Sequence, residues 1–72
     1  MLLYGTDGCH LCEEAESVLA SLGVAAKVVD IAGDDDLLQR YGVRIPVLRD
    51  GAGRELGWPF DAEAARRFLE HE

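Results

Sequence analysis

The strongest constraint on this chain lies near its start, where the apolar pattern changes period at a pair of cysteines. Leu2-Leu3-Tyr4 is a short apolar run of strand length, and Gly5-Thr6-Asp7-Gly8 is a turn cluster. From Cys9 onward, Leu11, Ala15, Val18, Leu19 and Leu22 recur at helical spacing and define one inward face. Glu13, Glu14 and Glu16 lie near the start of that helix, where the macrodipole favours negative charge. Gly23 follows as a C′ stop. A strand, a tight turn and a helix opening on Cys9-His10-Leu11-Cys12 therefore form one unit.

The rest of the chain extends this unit. Ala25 to Ile31 reads as a second strand, and two strands joined by a helix pack in parallel with a right-handed crossover. Asp34, Asp35 and Asp36 offer N-caps for a short helix carrying Leu37, Leu38 and Tyr41, ended by Gly42. Ile45 to Arg49 reads as a third strand with Pro46 at its head, Asp50-Gly51-Ala52-Gly53 as a hairpin loop, and Arg54 to Leu56 as a fourth strand. Asp61 caps a last helix whose inner face holds Ala65, Phe68 and Leu69, with Phe60 stapling its entry. The order is β-α-β-α-β-β-α, an α/β fold with a four-stranded mixed sheet and helices on both faces. At 72 residues, the span 1–72 is expected to be a single domain. A chain this short buries only about 60% of its unfolded surface, so its chemistry belongs at the surface.

Charge narrows the function classes. Seven Lys and Arg stand against 14 Asp and Glu, a formal net charge of -7. Phosphate-backbone binding needs a basic footprint, so nucleic acid is not an expected partner, and neither is an anionic membrane. The acidity reads either as solubility or, more sharply, as repulsion of anionic ligands, glutathione included. Met1-Leu2-Leu3-Tyr4 is too short for a signal-peptide core, and no apolar run approaches the ~20 residues of a membrane span. The expected compartment is the cytosol, where thiols stay reduced. Two cysteines separated by two residues then read as a reactive or metal-binding pair, not as a structural staple.

The position of the pair assigns roles. Cys9 falls at the N-cap, where unpaired backbone N–H groups and the helix dipole stabilise a negative sulfur, and the thiolate is the attacking species. Cys12 lies three residues on, nearer the helix body. Cys9 is thus the candidate nucleophile and Cys12 the resolving thiol. His10 has two readings: a protonated ring that favours the Cys9 thiolate, or an exposed neutral side chain with no role. Asp7, Glu13, Glu14 and Glu16 oppose the thiolate, weakly if exposed and screened.

The stretch YGTDGCHLCEEAESVL resembles the strand–turn–CxxC–helix opening of thioredoxin-fold oxidoreductases. The length and the hairpin–helix ending resemble glutaredoxins and the small glutaredoxin-like proteins. Val43-Arg44-Ile45-Pro46 is similar to the cis-proline segment of that fold, and the resemblance covers essentially the whole chain. It implies a thiol–disulfide oxidoreductase, an electron-transport role with no bound cofactor, and a cis bond before Pro46. A cis bond there turns the backbone of Ile45 toward the sulfurs, so that its N–H and C=O are candidates to pair with an extended substrate. Arg44 beside it is either a contact for an acidic partner or a solvated side chain. Trp58 and Phe60 either hold a partner by apolar contact or close the small core, and Asp30 at the end of the second strand is either solvated with Lys27 or a proton acceptor near the site.

The chain departs from glutaredoxin where glutathione would bind. The dipeptide inside the pair is His-Leu in place of Pro-Tyr, and the lysine usually found shortly before the pair is absent. The glycine pair before the last helix is reduced to Gly57, and Asp61 matches the acidic residue that holds glutathione's amino end only with a shifted alignment. The expected partners are therefore a disulfide-containing protein or small thiol and a reductase, with glutathione disfavoured as co-substrate and the chain expected to be a monomer. Two other readings remain open at this point. Small copper-chaperone domains also carry CxxC between a first strand and first helix, and thiolates suit Cu(I) or Zn(II), but that fold ends in a strand. An interaction module with idle cysteines is the third. His71, near the terminus, is given no role.

Overall fold

The computed structural model describes residues 1–70. His71 lies outside the described residues. The elements run β1 (Leu2–Gly5), α1 (His10–Ser21), β2 (Lys27–Asp30), α2 (Asp35–Tyr41), β3 (Val47–Arg49), β4 (Glu55–Gly57) and α3 (Ala62–Glu70), the order read from the sequence. The four strands form one sheet in the order β2-β1-β3-β4. β1 and β2 are parallel, with Leu3 opposite Val28 and Gly5 opposite Asp30. β1 and β3 are antiparallel, with Tyr4 opposite Val47, and β4 pairs antiparallel with β3.

Alternation along the central strands divides the core into two clusters. Leu3 and Leu48 point to one face, where Ala15 and Leu19 of α1 and Ala65 of α3 are buried with Phe60. Tyr4 and Val47 point to the other, where Ile31 and Tyr41 of α2 are buried. The helices thus cover both faces, and Tyr4 stacks on Tyr41 with ring centroids 4.4 Å apart. Each fully buried leucine contributes about 1.5–3 kcal/mol of hydrophobic stabilisation.

Local chemistry sets where the helices begin and end. α1 closes in a Schellman arrangement: Gly23 N–H donates to Ala20 O at 3.0 Å and Val24 N–H to Leu19 O at 3.0 Å. Asp34 caps α2 through Oδ1, which accepts from Leu37 N–H at 3.2 Å. Asp61 caps α3, its Oδ1 accepting from Ala64 N–H at 2.8 Å. No helix among the described residues is long and apolar enough to cross a membrane.

Three expectations need correction. Leu11 is 43% exposed, and Cys12 takes the buried place in that turn. Cys12, about 100° further round α1, is the side chain that lies against Gly5 at the end of β1, and Leu11 is turned away from that contact. β2 is shorter than Ala25–Ile31, because its pairing with β1 spans only Lys27 to Asp30. β3 starts at Val47, because the N–H groups of Arg44 and Ile45 both donate to Tyr41 O, at 2.8 and 3.0 Å, and continue the end of α2.

Candidate redox site

Gly5 ends β1, and the turn after it delivers Cys9 to the head of α1. Gly8, with φ of 74°, makes the left-handed step that this turn requires just before Cys9. Cys9 then adopts an extended conformation as the N-cap, and its Sγ accepts the N–H of Cys12 at 3.2 Å. The sequence placed Cys9 at this position for this reason, and the sulfur does occupy the capping role of an oxygen.

Cys9 and Cys12 are joined by a disulfide, with Cα atoms 5.2 Å apart. Cys9 is partly exposed, whereas Cys12 is 4% exposed behind it. The back of Cys12 rests on Gly5, where an added Cβ would lie 2.9 Å from Cys12 Sγ. Gly5 is a site residue that the sequence reading left as turn punctuation. Its only signal is a glycine at the junction of a buried strand with the CxxC loop.

A cavity of about 190 Å³ opens beside the two sulfurs. Leu3 and Val28 form its apolar wall, and Asp7, Glu13, Glu16 and Asp30 give it four carboxylates. Among the described residues, no lysine or arginine lines it. Asp30 joins the cavity through its register with Gly5, and its Oδ1 accepts the N–H of Ala32 at 2.9 Å. His10 sits on the exposed side of α1, with Nδ1 4.0 Å from Glu13 Oε2 and 82% of its side chain in solvent.

The other sequence candidates fall at different distances from this centre. Ile45–Pro46 is a cis peptide bond. Extending the β1–β3 register by one residue sets buried Pro46 beside Gly5. Ile45 cannot offer its N–H to an extended substrate while that group donates to Tyr41 O. Arg44 lies over the Tyr41 ring, 5.7 Å from its centroid, and pairs with Glu55 at 3.7 Å. Trp58 is partly buried, its ring packed edge-on against Phe60 at 5.0 Å and its backbone N–H donating to Pro46 O at 3.1 Å. The peptide bond after it, Trp58–Pro59, is also cis. Asp61 is engaged as the cap of α3. Among the described residues, no group of three or more His, Cys, Asp or Glu side chains is placed to hold a metal ion.

A family model for the glutaredoxin-like domain (DUF836) matches residues 1–70. The chain belongs to this family. No curated protein sequence matches it. Solved structures do. The chain is similar to Northeast Structural Genomics target protein XcR50 from X. campestris, at 47% identity over 99% of this chain and 96% of that one in the X-ray structure, with a TM-score of 0.93. The solution structure of the same protein gives a TM-score of 0.90 over 99% of this chain and 92% of that one. Protein Ne2328 from Nitrosomonas europaea is 32% identical over 93% of this chain and 86% of that one, with a TM-score of 0.80. As a glutaredoxin-like domain the chain has a thioredoxin-like fold that ends in the helix α3, whereas a copper-chaperone domain ends in a strand.

Proposed function

We propose that this glutaredoxin-like domain carries out thiol–disulfide exchange through Cys9 and Cys12. One observation carries the reading: the partly exposed Cys9 Sγ caps α1 and accepts the Cys12 N–H, with Cys12 buried behind it. In the reduced protein that amide and the helix N-terminus favour a Cys9 thiolate. The thiolate attacks one sulfur of a substrate disulfide; the new S–S bond forms as the substrate bond breaks, and the released thiolate takes up a proton. Cys12 then loses its proton and attacks Cys9 Sγ, releasing the second substrate thiol. The substrate gains two electrons and two protons, and the domain is left with the Cys9–Cys12 disulfide. A dithiol reductant or a reductase returns it to the reduced state.

The four carboxylates at the cavity support a disulfide-bearing protein or a thiol without excess negative charge as the partner, in place of glutathione. The test follows reduction of a disulfide-bonded protein by the wild type, Cys9→Ser and Cys12→Ser. Cys9→Ser should lose exchange, and Cys12→Ser should accumulate a mixed disulfide through Cys9, visible by intact mass. A Cys9→Ser protein that works at the wild-type rate overturns the mechanism.

A further inference from the structure

On the face of the sheet covered by α2, a second cavity of about 380 Å³ opens among Arg40, Tyr41, Arg44, Arg49 and Glu55. It shares no lining residue with the cavity at the cysteines. Three arginines and one glutamate line it, an excess of two positive charges on a chain whose net charge is -7. The other arginines are differently placed. Arg54, Arg66 and Arg67 are each matched by a carboxylate, Asp50, Glu70 and Glu63. Among the described residues, neither Arg40 nor Arg49 has a carboxylate within salt-bridge distance, and Arg44 shares Glu55 with the Tyr41 hydroxyl, which donates to Oε2.

The groove is also held in shape. Arg49 Nη1 donates to the Tyr4 hydroxyl at 3.4 Å, and Tyr4 is fixed by its stack on Tyr41. Arg44 rests over the Tyr41 ring. An arginine fork kept in place by aromatic neighbours loses little freedom on binding and matches the oxygens of a phosphate group. The groove is open to solvent, so a bound phosphate can carry an organic group outward without a closed pocket around it.

We propose that this groove binds a small molecule bearing a dianionic phosphate, with Arg40, Arg44 and Arg49 as its ligands and Glu55 as the counter-charge it displaces from Arg44. Two excess positive charges call for a dianion, and the space around them admits an organic group on the phosphate. Glu55 makes the site conditional: the ligand must compete with it.

The test is a titration of isotope-labelled protein, followed by NMR at the arginine Nε–Hε groups and the backbone of residues 40–57. The probes are inorganic phosphate and glycerol phosphate, with sodium chloride at matched ionic strength. Saturable shifts around the groove with either phosphate, absent with chloride, are expected. The double variant Arg40→Gln/Arg44→Gln, at two exposed positions, should weaken binding at least about tenfold. Glu55→Gln should strengthen it several-fold. Tighter binding of glycerol phosphate identifies an organic phosphate as the ligand, and equal binding identifies the free ion; both support the site. Shifts that chloride reproduces, or a double variant that binds as the wild type does, overturn it. The titration needs no redox activity, so its outcome is independent of the exchange chemistry.

Discussion

Replacing Gly5 by alanine puts a methyl group where Cys12 already sits. The added Cβ would lie 2.9 Å from Cys12 Sγ and 3.3 Å from Cys12 Cβ, against a comfortable separation of about 3.5–4.0 Å. Little around it can move. Gly5 is in the central strand β1, paired with Asp30, and its carbonyl accepts the Ile31 N–H at 2.9 Å. Overpacking of this kind costs about 1–3 kcal/mol, and the loss of glycine's freedom in the unfolded chain returns about 0.4–1 kcal/mol, so the net destabilisation is about 1–2 kcal/mol. For a domain of this size each kcal/mol lowers Tm by about 4–8 °C. The effect should depend on redox state. A Cys12 thiol can rotate away from the methyl, whereas a Cys12 tied to Cys9 cannot, so the oxidised form loses more. Every 1.4 kcal/mol of that difference raises the two-electron reduction potential by about 30 mV. Thermal unfolding of both redox forms, with equilibration against dithiol buffers, measures both quantities. Gly57→Ala is the control, since a Cβ at that strand position meets nothing within 4 Å. If Gly5→Ala matches Gly57→Ala in both redox forms, the contact between Gly5 and Cys12 does not constrain the site.

Asp50 gives a prediction about acid. Its burial raises the carboxyl, but N–H donors from Arg54 and Ala52 and the Arg54 guanidinium outweigh this and hold it below its ordinary value. The stabilisation is therefore complete above the unfolded-state value near ~3.9 and is lost as pH falls through the lower folded value. Urea midpoints at pH 7 and pH 3 should show a smaller acid loss for Asp50→Asn than for the wild type; equal losses refute the assignment. Asp61→Ala should remove about 1 kcal/mol by uncapping the nine-residue α3, and Asp61→Asn should retain most of it in chemical denaturation. Equal stability of the two variants would mean that the cap contributes nothing.

Features set within a few residues were legible in the sequence, and features set across the sheet were not. The Cys9 cap, the Asp34 and Asp61 caps and the Gly23 stop all depend on neighbours within five residues, and all stand where side-chain chemistry put them. Strand limits depend on partners. Ala25 and Ala26 have strand character as a run, but β1 offers β2 pairing only from Lys27. Leu11 sits at one edge of the periodic face of α1 and Cys12 at the other, and which edge meets the sheet is decided by the contact of Cys12 with Gly5, beyond the reach of periodicity. The contact of Gly5 with Cys12 requires α1 to cross β1 at that height. The arginine groove unites residues of α2, the loop after it, β3 and β4, which no local pattern links.

Two influences meet at Cys9 in the proposed exchange, and they differ in range. The Cys12 amide is 3.2 Å from the sulfur and fixed by the first turn of α1, so it acts on the thiolate itself and is little affected by salt. Asp7, Glu13 and Asp30 are exposed around the neighbouring cavity, and ions screen them beyond about 8 Å at physiological ionic strength. They line the same cavity as the two sulfurs, so a partner must pass among them to reach Cys9. An anionic thiol meets like charge at that last approach, and a neutral or cationic disulfide segment does not. In the exchange proposed above, the helix cap favours the thiolate and the cavity wall selects among partners. His10, between the two cysteines, faces solvent beside Glu13. A change of partner would therefore be sought at the carboxylates, with Cys9 and Cys12 left in place.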